Sequence, residues 1–177
     1  MARDSLQSRN KGALSYVTEY RLASIWQLIA PIESVWDAIY DSRAWPEWWP
    51  YVASVVEVEA GDATGLGAVR RYTWTSRLPY RLTFELEATR VERPFRLEGR
   101  TRGDLKGHGS WHLQTVEGAT RVRYDWVVTT TRPWMNLLAP LAQSIFTWNH
   151  HAVMRAGGRG LARRLNARLV YAGPERR

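Results

Sequence analysis

The chain has 177 residues, a length typical of one domain that can bury a hydrophobic core. It has no cysteine, which excludes a disulfide framework and thiolate chemistry, and its formal charge of +8 comes from basic residues spread through every segment. No stretch has the roughly 20 apolar residues that a membrane span needs, and arginine-rich usage is typical of GC-rich bacterial genes. We therefore expect a soluble, cytoplasmic, bacterial protein.

The two ends of the chain differ in composition from the middle. Residues 1–16 are polar and lack the apolar region of a secretory signal, so we predict a flexible N-terminal tail. Residues 17–170 are patterned throughout and predict a single domain, and residues 171–177 are predicted to be a C-terminal tail.

The first predicted elements are a strand and two short helices. Residues 18–29, TEYRLASIWQLI, alternate with the period of a β-strand. Pro31 suits a helix start, and Trp36 and Ile39 share one face of that helix. A second helical turn is predicted at 45–49, where the segment RAWPEWWPYV places three tryptophans between prolines.

Turn signals then separate six further predicted strands, at 53–60, 67–76, 80–92, 95–103, 106–116 and 119–131. The clearest alternation places Leu82, Phe84 and Leu86 on one face of their strand. It likewise places Tyr124 and Trp126 on one face of theirs. This pattern predicts an antiparallel sheet with one apolar face and one solvated face.

The cover for the apolar face is predicted from residues 136–169, which have helical periodicity and would extend roughly 45 Å as one helix. Asn149 lies in the middle of the apolar stripe, whereas His150 and His151 fall on the polar side. The stripe consists of Leu138, Leu141, Ala142, Ile145, Phe146, Trp148, Ala152 and Val153. At Gly157, Gly158 and Gly160 the apolar residues move to another side of the helix. This change predicts a bend or a new packing partner there, and the helix is predicted to end near Arg168.

This order of elements is the α+β helix-grip arrangement: a seven-stranded, curved antiparallel sheet wrapped on a long C-terminal helix, with two short helices after the first strand. The segment IAPIESVWDAIYDSRAWPEWWPYVASVVEVE resembles the N-terminal signature of the START-like, polyketide cyclase/dehydrase and lipid-transport (SRPBCC) superfamily. The resemblance covers about residues 18–168. It implies an internal cavity for a lipid, sterol, polyketide or aromatic compound, closed by the short helices.

The predicted inner face is rich in aromatic side chains, some with polar tips, which suits an amphipathic ligand or enclosed water. The alternative is a filled core whose polar tips find local partners. Asn149 would be hydrogen-bonded, either to a strand or to a ligand. The predicted ligand-binding residues are Trp48, Tyr72, Trp74, Phe84, Trp111, Tyr124, Trp126, Ile145, Trp148 and Asn149.

Motifs for metal, nucleophilic or phosphate chemistry are missing. His108 and His112 share a strand face but would lie roughly 13 Å apart, too far for one metal ion. Neither a G-x-S-x-G motif nor a phosphate loop occurs, and Asp125 is predicted to be a surface partner of nearby arginines. We expect no metal and no cofactor.

Three functions follow from these observations. The first is the binding of a hydrophobic small molecule in the cavity, and the second is a cyclase/aromatase-type enzyme that uses the same cavity. The enzyme ranks second because the predicted inner face offers only tyrosines as titratable groups. The third is nucleic-acid or membrane-surface binding by Arg155, Arg159, Arg163, Arg164 and Arg168. Ligand identity and oligomeric state stay open.

Overall fold

The computed structural model describes residues 19–76, 80–131 and 139–175, so the predicted tail at 1–16 lies outside the described residues. Within these ranges the chain forms a helix-grip fold, as predicted. Its elements in chain order are β1 (Glu19–Ile29), α1 (Ile32–Tyr40), a 3₁₀ turn (Ser42–Ala44), α2 (Trp45–Trp48), β2 (Val52–Glu59), β3 (Val69–Trp74), β4 (Leu82–Glu92), β5 (Arg96–Gly103), β6 (Leu105–Val116), β7 (Ala119–Thr130), α3 (Ala139–Arg164) and β8 (Arg168–Pro174).

The strands form one curved antiparallel sheet in the order β2-β3-β4-β5-β6-β7-β1-β8. β1 pairs with β7 so that Leu22 lies opposite Trp126. β3 pairs with β4 so that Tyr72 lies opposite Phe84. Because side chains alternate along each strand, this register brings the aromatic residues of β3, β4 and β7 to one face of the sheet.

The C-terminal end differs from the prediction of seven strands. Helix α3 ends at Arg164 rather than near Arg168, and Asn166 adopts a left-handed conformation with φ 48°. Asparagine tolerates this conformation better than most residues, and it commonly ends helices. Residues Arg168–Pro174 then form an eighth strand beside β1, which takes in the first four residues of the predicted tail.

Helix α3 continues without interruption through the glycines at which the sequence predicts a bend or a new packing partner. An added Cβ at Gly157 would lie 2.3 Å from the Trp49 ring, and one at Gly160 would lie 1.8 Å from the Trp48 carbonyl oxygen. Leu161 is fully buried. The glycines therefore serve close packing against α2, which is the second of the two predicted outcomes. None of the helices in the described ranges is both long and apolar enough to cross a membrane.

The tryptophan-rich segment is attached to α3 by a hydrogen bond from one of its indoles. Trp49 is 1% exposed, and its Nε1 donates a hydrogen bond to the carbonyl of Val153 at 2.9 Å. Trp26 of β1 donates in the same way to the carbonyl of Met154 at 2.9 Å. The two bonds connect both α2 and the sheet to the middle of the helix.

Candidate functional site

Two cavities lie between the sheet and the helices that cover it. The larger, the α3-side cavity, has a volume of about 140 Å³ and is bounded on the helix side by Phe146, Asn149 and His150. The smaller, the α1-side cavity, has a volume of about 50 Å³ and lies beside Ser42 and Trp45.

One layer of aromatic side chains borders both cavities. Ring centroids of Phe84 and Trp126 lie 5.7 Å apart, and those of Tyr124 and Trp126 also lie 5.7 Å apart. The residues that line both cavities are Trp74, Phe84, Tyr124 and Trp126, all of them predicted site residues.

The other predicted residues on the sheet and on α2 have different positions. Tyr72 and Trp111 line the α1-side cavity. Trp48 is buried but lines neither cavity, because it stacks on Trp49 with ring centroids 5.5 Å apart. Trp45 borders the α1-side cavity instead. One of the three clustered tryptophans therefore faces a cavity, and the other two pack α2 against α3.

The inner face of α3 agrees with the predicted one only in part. Ile145 and Trp148 are 48% and 51% exposed and line neither cavity. Phe146 and Asn149, which were predicted on the inner side, face the α3-side cavity together with His150, with the spacing of three and four residues that defines one side of a helix. The helix carries apolar residues on two neighbouring stripes, and the histidine made the true inner stripe look polar.

Two residues that line the α3-side cavity have buried hydrogen-bonding groups that no described residue satisfies. Tyr20 is 5% exposed, and neither its hydroxyl nor Nε1 of Trp74 has a partner within the described ranges. Burial raises the pKa of Tyr20 and of Tyr124, so both hydroxyls remain protonated donors at neutral pH. Buried polar groups without partners are rare in native proteins.

His150 is a cavity-lining residue that the sequence analysis placed on the wrong side of the helix. Its Nε2 lies 3.2 Å from Oγ of the buried Ser24. Burial, with the neighbouring His151 as the second cause, lowers the pKa of His150 to about 3, so the imidazole is neutral at physiological pH. No Asp, Glu, Lys or Arg among the described residues lines this cavity, and its interior is therefore uncharged.

The α1-side cavity, in contrast, borders a partly buried charge, that of Arg70. Nη1 of Arg70 donates to the Tyr40 carbonyl at 2.9 Å and to Oγ of Ser42 at 3.1 Å. Oγ of Ser42 also bonds the Tyr72 hydroxyl at 2.8 Å. The sequence analysis missed Arg70, although alternation places it on the same strand face as Tyr72 and Trp74.

Three ionisable strand residues considered in the sequence analysis, Asp125, His108 and His112, line neither cavity. Asp125 forms two hydrogen bonds with Arg123, at 2.8 and 2.9 Å, which confirms its predicted role as a surface partner. His108 is exposed, and Nε2 of His112 lies 3.2 Å from Oγ of Ser110. In the part of the chain that the structure describes, no group of three or more His, Asp or Glu residues could hold a metal ion.

This fold, with aromatic side chains on the inner face of its sheet, defines a helix-grip protein. The family model described as polyketide cyclase / dehydrase and lipid transport matches residues 27–169, and the chain belongs to this family. No curated protein matches the chain.

Several solved structures share the fold. Protein TTHA0849 from Thermus thermophilus has a TM-score of 0.65 and 19% identity, covering 82% of this chain and 99% of that one. The Zhui aromatase/cyclase from Streptomyces sp. R1128 has a TM-score of 0.66 and 15% identity, covering 84% and 94%. The di-domain aromatase/cyclase BexL of the BE-7585A biosynthetic pathway has a TM-score of 0.66 and 19% identity, covering 85% and 51%. At these identities the likeness shows the fold alone.

Proposed function

We propose that the protein binds an uncharged, mainly apolar molecule with one aromatic ring and an oxygen substituent in the α3-side cavity. One observation carries the proposal: an uncharged space of about 140 Å³ is lined by Tyr20 and Trp74, and the hydroxyl of the first and the indole N–H of the second lack partners among the described residues. Membership of a family described by cyclase, dehydrase and lipid-transport functions supports a small hydrophobic ligand.

The cavity volume sets the size of the ligand. An engineered cavity of about 150 Å³ in another protein binds benzene, so a space of about 140 Å³ suits one substituted ring. The α1-side cavity, at about 50 Å³, has room only for a smaller group.

The polar groups set its chemistry. An indole N–H can only donate a hydrogen bond, and a protonated tyrosine hydroxyl donates as well, so a ligand oxygen that accepts is favoured. A carboxylate would lose its hydration without gaining a cation, which costs several kcal/mol. Phenols and aryl ketones therefore fit better than aromatic acids.

Calorimetric titration with 4-ethylphenol and 4-ethylbenzoate tests this proposal. We expect saturable binding of the phenol and at least about tenfold weaker binding of the carboxylate. Tyr20→Phe should weaken phenol binding about 2- to 10-fold, since a hydrogen bond contributes about 0.5–1.5 kcal/mol. Tyr51→Phe is the matched control, because Tyr51 lines neither cavity. Equal affinity for both probes, or no binding of either, would refute the proposal.

A cyclase/aromatase-type enzyme is the second candidate, favoured by His150, an inward-facing titratable group of the kind that such chemistry needs. With a pKa of about 3 its imidazole accepts protons poorly at neutral pH, so binding ranks first. Incubation with a short poly-β-ketone analogue tests the candidate. A dehydrated ring product formed by the wild type but not by His150→Gln would favour the enzyme, and no product with the wild type would reject it for this substrate class.

A further inference from the structure

A single layer of side chains divides the interior. Both cavities are bordered by Trp74, Phe84, Tyr124 and Trp126. The two cavities therefore lie next to each other and share these rings as a wall. Phe84 has a central position in this layer. Its ring stacks on Tyr72 with centroids 5.7 Å apart and lies 5.7 Å from the Trp126 ring.

The backbone beneath Trp126 keeps the layer thin. An added Cβ at Gly109 of β6 would lie 2.6 Å from two atoms of the Trp126 ring and 3.0 Å from the Tyr124 hydroxyl. Glycine in a strand interior is unfavourable and often marks a close approach of another group. Here it allows the Trp126 ring to lie against the sheet, where a larger residue would displace it into the cavities.

We propose that Phe84 and Trp126 form a partition that sets the largest ligand the interior accepts, and that the two cavities are compartments of one binding site. This inference rests on the proposed function. On the α1 side of the partition, Leu86, Ala88 and Leu97 line the smaller compartment and offer an apolar surface to a longer ligand. Removing the Phe84 ring would join the two spaces.

A series of 4-alkylphenols from ethyl to octyl tests the partition by calorimetry, because every member has the same polar head. In the wild type, affinity should increase about fourfold for each added methylene until the α3-side cavity is full, and then fall. In Phe84→Ala the increase should continue to longer chains. The turning point is the alkyl chain length at which affinity is highest, and Phe84→Leu should shift it to longer chains less than Phe84→Ala does. Phe95→Ala is the matched control, since Phe95 is 58% exposed and lines neither cavity.

The chain length of highest affinity decides whether Phe84 separates the two cavities. A turning point at a longer chain in the Phe84 variants, unchanged in Phe95→Ala, would support it. The same turning point in all four proteins, or tight octylphenol binding by the wild type, would overturn it. If Phe84→Ala does not fold, Phe84→Leu carries the comparison, because it keeps a large apolar side chain. Failure of the wild type to bind 4-ethylphenol would instead refute the proposed function, so the two failures are distinguishable.

Discussion

Replacing Gly160 by alanine sets helix propensity against packing, and the two effects have opposite signs. In an exposed helix interior this change stabilises by about 1 kcal/mol. Here the new Cβ would lie 1.8 Å from the carbonyl oxygen of Trp48 and 3.3 Å from that residue's ring. A backbone oxygen cannot rotate away, so α2 and α3 must separate by about 1 Å or more.

The loss of stability depends on the contacts between α2 and α3 that this separation disturbs. Overpacking of a close contact costs roughly 1–3 kcal/mol. The hydrogen bond from Nε1 of Trp49 to the Val153 carbonyl, at 2.9 Å, joins the same two helices, and weakening it adds about 1 kcal/mol. After the gain of about 1 kcal/mol in helix propensity is subtracted, we expect Gly160→Ala to lower the free energy of unfolding by about 1–3 kcal/mol.

Urea denaturation followed by circular dichroism measures this difference. Gly158→Ala is a graded control, because its Cβ would lie 3.0 Å from the Ala172 Cβ and from the Trp26 ring, which are side-chain atoms. Its effect should be smaller than that of Gly160→Ala. A Gly160→Ala protein as stable as the wild type, or more stable, would show that α2 is not held against the helix as the structure has it.

Three more predictions concern pH, the cavity amide and charge. The pKa of His150, about 3, lies below its ordinary value of 6.5, so its stabilising contribution is complete above pH 6.5 and is lost as the pH falls towards 3. Urea titrations across this range should show that the unfolding free energy of His150→Gln falls less with decreasing pH than that of the wild type. The control His108→Gln should behave as the wild type does. Asn149→Leu should weaken 4-ethylphenol binding more than it changes the unfolding free energy; a loss of stability alone would assign the buried amide to the core. Binding of duplex DNA, measured by fluorescence anisotropy, should be weak and should vanish by physiological salt; sequence-selective binding that survives would contradict this.

Strand faces could be predicted from the sequence better than helix faces, for a geometric reason. A strand has two faces, so the alternation of Leu82, Phe84 and Leu86 identifies the inner one directly. Successive residues of a helix are 100° apart around its axis. If the wrong one of two neighbouring apolar stripes is taken as the inner one, the predicted inner face is displaced by this angle. Trp148 was therefore predicted to face the cavity and His150 to face solvent, whereas His150 lines the cavity beside the predicted Asn149.

Two features were missed for other physical reasons. Arg70 shares a strand face with Tyr72, but its charge suggested solvent, and only the tertiary structure places the Tyr40 carbonyl and Ser42 within its reach. Strand β8 follows the helix end at Asn166 and depends on pairing with β1, more than a hundred residues earlier in the chain. Such long-range pairing has no local signal in a short segment that contains glycine and proline.

Several tryptophan side chains contact one another, and for this reason the proposed experiments alter Tyr20 and Phe84 rather than a tryptophan. The Trp49 ring lies 4.9 Å from that of Trp74 and 5.2 Å from that of Trp26, so the residues that attach α3 also touch the wall shared by the cavities. Truncating one of these indoles would move the helix and the cavity wall together, and a lost affinity could not be separated from a lost stability. The Tyr20 hydroxyl has no partner among the described residues, so its removal changes the cavity chemistry with little effect on packing.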